Sequence, residues 1–242
     1  MTALPEVNSQ PVLLARGKPE PPLQTFSSQP GLMEEWAKGR APEQRLAARW
    51  AEQPFLKALL VRLKAHDPDT YNHSVRTLRL SLRLGRECGL PAAQLRALKL
   101  CALLHDIGKI YVPGALLRKP TSLTPDEWVT MQRHPRAGQR LLRGHPTLAA
   151  AARTALEHHE RWDGAGYPHG LSGAAIGLAA RVVAVADAFD VMVNERPYRA
   201  AMRYEAALAE LIRCAGTQFD PNVVAAFCRL SRDGFEQPLC SP

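Results

Sequence analysis

The stretch HHERWDGAGYP, residues 158–168, sets two imidazoles side by side with an acid and then runs into a turn built on Gly164 and Gly166. Neighbours along a helix do not face each other, so His158 and His159 are expected to project about 100° apart. That geometry predicts that the pair does not share one ligand position but serves two neighbouring ions or two sides of one pocket. Three further histidines keep similar company. His73 follows Asp69 by one helical turn, His105 and Asp106 end an otherwise apolar helix, and His134 closes a capped helix just before Pro135. Asp187 and Asp190 interrupt ARVVAVADAFDVMV, a stretch that is otherwise continuous hydrophobe. A buried carboxylate without a partner is costly or neutralises itself. An arginine partner or a helix cap would compensate each acid singly, but Arg181 lies too many turns away on the same helix to reach Asp190. One shared cation site explains all of these residues at once.

Imidazole and carboxylate without thiolate suit iron, manganese or zinc better than calcium or a structural cysteine site. The donors outnumber what one tetrahedral ion needs, which points to two or three divalent transition ions close together. Such a clamp fits in-line displacement at phosphorus, with a hydroxide bridging the ions as nucleophile, since metal binding lowers the pKa of water towards neutrality.

The elements that must position these groups read as helices throughout, so the expected fold class is all-α. Residues 1–41 are proline-rich without a sustained apolar period and read as a flexible leader, with a short helix near LMEEWAKG. Residues 42–55 read as an N-terminal helix, 56–235 as the catalytic domain and 236–242 as a tail. In DTYNHSVRTLRLSLRLGRECG, Val75, Leu78 and Leu82 form one stripe and Gly89 is placed to end the helix. PAAQLRALKLCALLHDIG starts on a proline and is expected to stop at Gly108. TPDEWVTMQRH carries Thr124 as N-cap, Pro125 at the first helical position and Glu127 to complete a capping box. TLAAAARTALEHHE carries the histidine pair at its end, and YEAALAELIRCAG and PNVVAAFCRL are the closing helices.

Composition excludes several classes. The 242 residues are 46% hydrophobic, enough for one good-sized core, yet no apolar run is long enough to span a bilayer. MTALPEVNSQ does not read as a signal peptide. Five cysteines without CxxC spacing read as reduced thiols, which places the expected protein in the cytoplasm. The net charge of +8 invites a nucleic-acid polymer as partner. Against that, the arginines are dispersed and few aromatics interleave with them. A solvated basic surface that also favours a small anionic substrate is the better account.

HDIGK at 105–109 resembles the signature of the HD phosphohydrolase superfamily. HHERWDGAGYP together with RPYR at 196–199 resembles its HD-GYP subfamily, which hydrolyses the bacterial second messenger cyclic di-GMP. The resemblance runs from about Leu56 to Phe235, passing in order through TYNHSVR, LLHDIGKI, LTPDEW, the GYP segment, RVVAVADAFD, RPYR and FDP. It implies a single HD-domain helical bundle with a C-terminal GYP extension. It implies metal ligation by His73, His105, Asp106, His134, His158, His159 and Asp187, with Asp106 as the bridge. Lys109 would contact the scissile phosphate, and Arg196 and Arg199 would grip phosphate or guanine. Gly164, Gly166, Tyr167 and Pro168 would shape the flanking loop, and Asp163 and Asp190 would support the ligands or handle protons.

Family members with a third ion use a glutamate four residues before the first histidine. Asp69 stands there, one methylene shorter, and the alternative is a first-turn acid favoured by the helix dipole. The implied reaction is hydrolysis of cyclic di-GMP to pGpG, GMP or both by two or three ions, iron or manganese ahead of zinc. Two rivals stay open: a receptor that binds the nucleotide without turnover, and a hydrolase of another cyclic dinucleotide or of a nucleoside phosphate. The resemblance also implies GGDEF diguanylate cyclase domains as partners of the GYP loop, and a homodimer. The leader is too short for the sensory domain that many members carry.

Overall fold

Apolar residues recurring every three to four positions build the helices that carry the histidines, and the computed structural model describes residues 54–195 and 201–232. The helices are α1 (Pro54–His66), α2 (Pro68–Glu87), α3 (Ala92–Leu104), α4 (Gly114–Leu117), α5 (Pro125–Met131), α6 (His134–Leu142), α7 (Ala149–Glu157), α8 (Leu178–Val193), α9 (Tyr204–Arg213) and α10 (Pro221–Arg232). Short 3-10 turns cover Ile107–Tyr111, Pro146–Leu148 and Gly173–Ala175. No strand is formed among the described residues; there is a single isolated bridge, Ala215 to Phe219. The expected leader, most of the N-terminal helix, the RPYR segment and the tail lie outside the described residues.

α2 is the central element, packed against α1, α3, α8 and α10, while α7 packs between α3 and α6. The predicted stripe of Val75, Leu78 and Leu82 is buried, as are Leu56, Leu59, Leu60 and Leu63 of α1. α8 is buried on nearly all sides, with Val182, Val183, Val185, Ala186 and Phe189 fully enclosed. No helix among the described residues is long and apolar enough to cross a membrane.

Local signals set some boundaries as expected and move others. The capping box forms, with Glu127 N–H donating to Thr124 Oγ1 at 3.3 Å and Thr124 N–H donating to Glu127 Oε2 at 2.7 Å. Gly89, at φ +73°, ends α2. α2 starts at Pro68, one residue ahead of Asp69, because Asp67 is the N-cap and accepts from Thr70 N–H (3.0 Å) and Oγ1–H (2.6 Å). α3 stops at Leu104, not at Gly108, and the capped helix stops at Met131, so that His134 opens α6. Gly108 serves a different purpose from a cap. A Cβ there would collide with the carbonyl of His134 and lie 2.6 Å from the Gly138 nitrogen, so the glycine lets the chain after Asp106 press onto the first turns of α6.

Gly108→Ala is therefore expected to lower the unfolding free energy by about 3 kcal/mol, the upper end of ordinary overpacking. Gly144→Ala, where a Cβ meets nothing within 4 Å, is expected to leave it unchanged or slightly raised. Urea denaturation of both variants checks the contrast.

Candidate metal centre

Three helix ends and the second turn of α2 deliver His73, His105, Asp106, His134 and His158 to one buried point. Asp106, in the turn after α3, stands at its centre and is 2% exposed. Its Oδ1 lies 3.3 Å from His134 Nε2 and 3.7 Å from His158 Nε2. Its Oδ2 lies 3.4 Å from His105 Nε2, 3.9 Å from His73 Nε2 and 2.7 Å from Lys109 Nζ. The donors fall into two groups, each with its atoms within 4.8 Å of one another: His73, His105 and Asp106, and Asp106, His134, His158 and His159. Asp106 belongs to both.

The tautomers are fixed so that these donors face inward. Nδ1 of His105, His134 and His158 donates to the carbonyl three residues earlier, of Ala102 (2.7 Å), Met131 (2.7 Å) and Ala155 (3.0 Å). Each carbonyl is at or near a helix C-terminus, where the backbone leaves acceptors unused. With Nδ1 protonated, a neutral ring presents a lone pair at Nε2. His134 and His158 then bring two lone pairs to 3.3 Å of each other. His105 Nε2 and Asp106 Oδ1 are buried with no hydrogen-bond partner. Buried acceptors that face each other or face nothing are unfavourable, and a cation within each group satisfies them all. The arrangement fits a divalent metal site.

Electrostatics favour the same occupant. Burial alone would raise the Asp106 pKa, but Lys109, His105 and His134 outweigh it and hold the carboxyl well below the usual range. Asp187 is likewise held low, burial being overcome by His73 and His105, and Asp190 by His73 and Arg76. Burial pushes His158 down to about 4, and depresses His159, with His158 and His134 adding to the effect. For His105, burial is overcome by the adjoining Asp106, which raises it. Most of the cluster thus keeps the charge states that bind a cation.

The histidine pair corrects the expectation drawn from helical spacing. His158 and His159 join the same group, with ring centroids 4.0 Å apart. The 100° rule does not apply because α7 ends at Glu157 and both residues lie in the following turn. Tyr167 stacks on His159 at 4.9 Å and 20°, and Trp128 meets Tyr167 edge-on at 6.4 Å. Burial, with Asp106 and Asp187 adding, raises the Tyr167 phenol, which stays neutral beside the cluster.

Other candidates are placed differently. Asp187, partly exposed, contacts the cluster through His73 Nε2 at 2.9 Å. Asp69 is exposed in the first turn of α2 and belongs to neither group. Asp163 does not support a ligand: on the exposed loop, Arg161 donates to it at 2.6 and 3.0 Å and Ala165 N–H at 3.0 Å. Gly164 takes φ +82° at the loop's first turn. Arg196 and Arg199 lie outside the described residues.

Two residues were missed by sequence reasoning. Arg76 is the arginine partner that Asp190 demanded, supplied by α2 and not by α8. Its signal was its place three residues after His73, on the same helix face. Glu160, the acid of the opening stretch, is buried and accepts from His169 N–H (2.7 Å) and Leu171 N–H (3.0 Å), pinning the loop. Gly166 then lies so close to the backbone of Glu160 and Arg161 that a Cβ would have no room.

A family profile described as HD domain matches residues 57–223. The chain is 42% identical over 194 residues to the cyclic di-GMP phosphodiesterase response regulator RpfG of Xanthomonas campestris, covering 77% of this chain and 51% of the relative. It is 40% identical over 162 residues to the 3'3'-cGAMP-specific phosphodiesterase 3 of Vibrio cholerae, covering 67% and 35%. The chain thus spans about half or less of the length of these relatives. Among solved structures, an HDG"Y"P protein from Bdellovibrio bacteriovorus matches with a TM-score of 0.56 at 18% identity, over 83% of this chain and 68% of that one, which shows a shared fold.

Because His158 is held near 4 in the folded state, the unfolded chain takes up a proton between pH 6.5 and 4 that the native state does not. Stability of the metal-free protein due to this group therefore falls as the pH is lowered through that window. Between pH 7 and 5, His158→Gln is expected to lose about 2 kcal/mol less stability than the unmodified chain in urea denaturation.

Proposed function

The chain belongs to the HD domain family, in its HD-GYP branch, and on that footing we propose that it is a metal-dependent phosphodiesterase hydrolysing cyclic di-GMP to pGpG, GMP or both. The observation that carries this reading is the single buried carboxylate of Asp106 shared by two groups of imidazoles. In this reading His73, His105 and Asp106, with Asp187 adjoining, hold one ion, and Asp106, His134, His158 and His159 hold the second. Iron or manganese suits these donors first, then zinc. When bound, the ions supply water activation and charge neutralisation at phosphorus.

The chain's own groups do the rest. Lys109, at 2.7 Å from Asp106 and still partly open to solvent, turns its ammonium to a phosphate oxygen and stabilises charge that builds there. Tyr167 closes one side of the pocket as a neutral phenol and keeps His159 in plane by stacking. Gly164 and the loop that Glu160 pins set the approach of the nucleotide. Arg196 and Arg199 bind phosphate or guanine through their fork of donors. The same loop is the surface offered to a GGDEF domain, and a homodimer is the assembly proposed for the chain. Cys88, Cys101 and Cys214 are reduced thiols, which supports the reading of a reducing cytoplasm. The relative specific for 3'3'-cGAMP supports one second reading, in which that dinucleotide is the substrate.

Product chromatography decides, using protein purified without oxygen and loaded with iron or manganese, and offered each dinucleotide in turn. Linear and mononucleotide products from cyclic di-GMP are expected. Tight binding with no product would favour a receptor, and turnover of 3'3'-cGAMP alone would favour the second reading. Lys109→Met is expected to lower kcat by roughly 10²-fold with metal content unchanged. Asp69→Ala is expected to leave the number of ions per chain at two by elemental analysis, as a first-turn acid would; a drop from three would restore it as a ligand.

A further inference from the structure

His73 differs from the other histidines of the cluster in how its ring is held. His105, His134 and His158 each sit at a helix boundary and use a carbonyl three residues back. His73 lies inside α2, a helix of 20 residues whose interior carbonyls are engaged in its own hydrogen-bond ladder. No local backbone acceptor is left for its Nδ1. The partner it finds is a carboxylate 117 residues away: Nδ1 donates to Asp190 Oδ2 at 2.7 Å.

Asp190 is fully buried and is itself held by α2. Arg76 Nε donates to Oδ1 at 2.8 Å and its terminal nitrogen to Oδ2 at 2.9 Å, a two-pronged bond that sets the plane of the carboxylate. Asn194 Nδ2 adds a donor to Oδ1 at 3.1 Å. Surrounded by donors, Asp190 can only accept, so the ring proton of His73 must sit on Nδ1. Nε2 is then left as a lone pair facing Asp187 and Asp106. The competing contact, Thr77 Oγ1 at 3.5 Å from Nδ1, is at the limit of a hydrogen bond.

We infer that Arg76 is a positioning residue for one metal position and not the other: acting through Asp190, it aims His73 at the ion shared with His105 and Asp106. The inference rests on the two-ion reading. Without Arg76, Asp190 loses the two donors that orient it, and His73 is free to turn towards Thr77 or to carry its proton on Nε2. Neither state binds a cation. The second group is insulated from this loss, because His134 and His158 take their orientation from their own backbone and His159 from Tyr167.

The test is calorimetric titration of the metal-free full chain with Mn²⁺, with elemental analysis after dialysis. The unmodified chain is expected to show two binding steps. Arg76→Met is expected to weaken one step by 10–100-fold, the usual effect of removing an outer partner of a ligand, and to leave the other unchanged. The retained step is also the proof that the variant has folded. Arg76→Lys, a point charge that reaches one carboxylate oxygen at a time, is expected to recover part of the loss. His73→Ala is expected to abolish the same step. Arg76→Met with both steps intact would overturn the inference alone. So would equal loss of both steps with no recovery in Arg76→Lys, which marks a general structural role. Should Arg76→Met fail to fold, Arg76→Lys decides by itself, and unchanged binding in it would overturn the inference. Fewer than two ions on the unmodified chain would overturn the two-ion reading, and this inference with it.

Discussion

A carboxylate stripped of water at the meeting point of four helical segments is the constraint from which the architecture follows. Asp106 retains only 2% of its exposure, and a lone charge in that setting is strongly unfavourable. The fold answers it on every side: Lys109 from the following 3-10 turn, His105 from the preceding residue, His134 and His158 from α6 and the end of α7, and His73 from α2. Bringing α6 that close requires backbone against backbone, and Gly108 and Gly138 permit it. The capped helix α5 ends just before His134, so the termination of one element fixes where the next ligand stands.

The periphery is organised around the same point. Glu160 spends both carboxylate oxygens on the backbone of the GYP loop, and that loop returns Tyr167 to stack on His159. Trp162 and Asp163 N–H groups donate to the carbonyls of Gln218 and Thr217, tying the loop to the connection between α9 and α10. Arg181, too remote to serve Asp190, ion-pairs with Asp220 at 2.5 Å and donates to the Ile176 carbonyl. An acid and a base that read as isolated along the chain are in this way joined across it.

Much of this was legible in the residues. Polar exceptions at the end of α3 and inside α8 announced His105, Asp106, Asp187 and Asp190, because a charge in a core demands a partner, which for Asp190 is Arg76 with His73. Thr124 and Glu127 announced their helix start through spacing alone. The helix ends were less legible. His105 and His158 keep right-handed helical dihedrals as C-caps, so the apolar period carries past the point where i-to-i+4 bonding stops. That is why His158 and His159 looked like helical neighbours facing apart. Arg76 escaped because its partner lies 114 residues away, a separation that no local pattern encodes. The exposure of Asp69 was equally hidden, since spacing from His73 gives a face but not a depth.

The bonds from three imidazoles to carbonyls three residues back carry a mechanical implication. Each of these ligands takes its aim from the strand of backbone it grows from, not from contacts between helices. When helices shift relative to one another, such ligands travel as rigid units, and the cage changes in size while the lone pairs keep their bearing. In the two-ion reading, core packing would therefore set the width of the cage, while the bearing of these three imidazoles would stay with their own backbone.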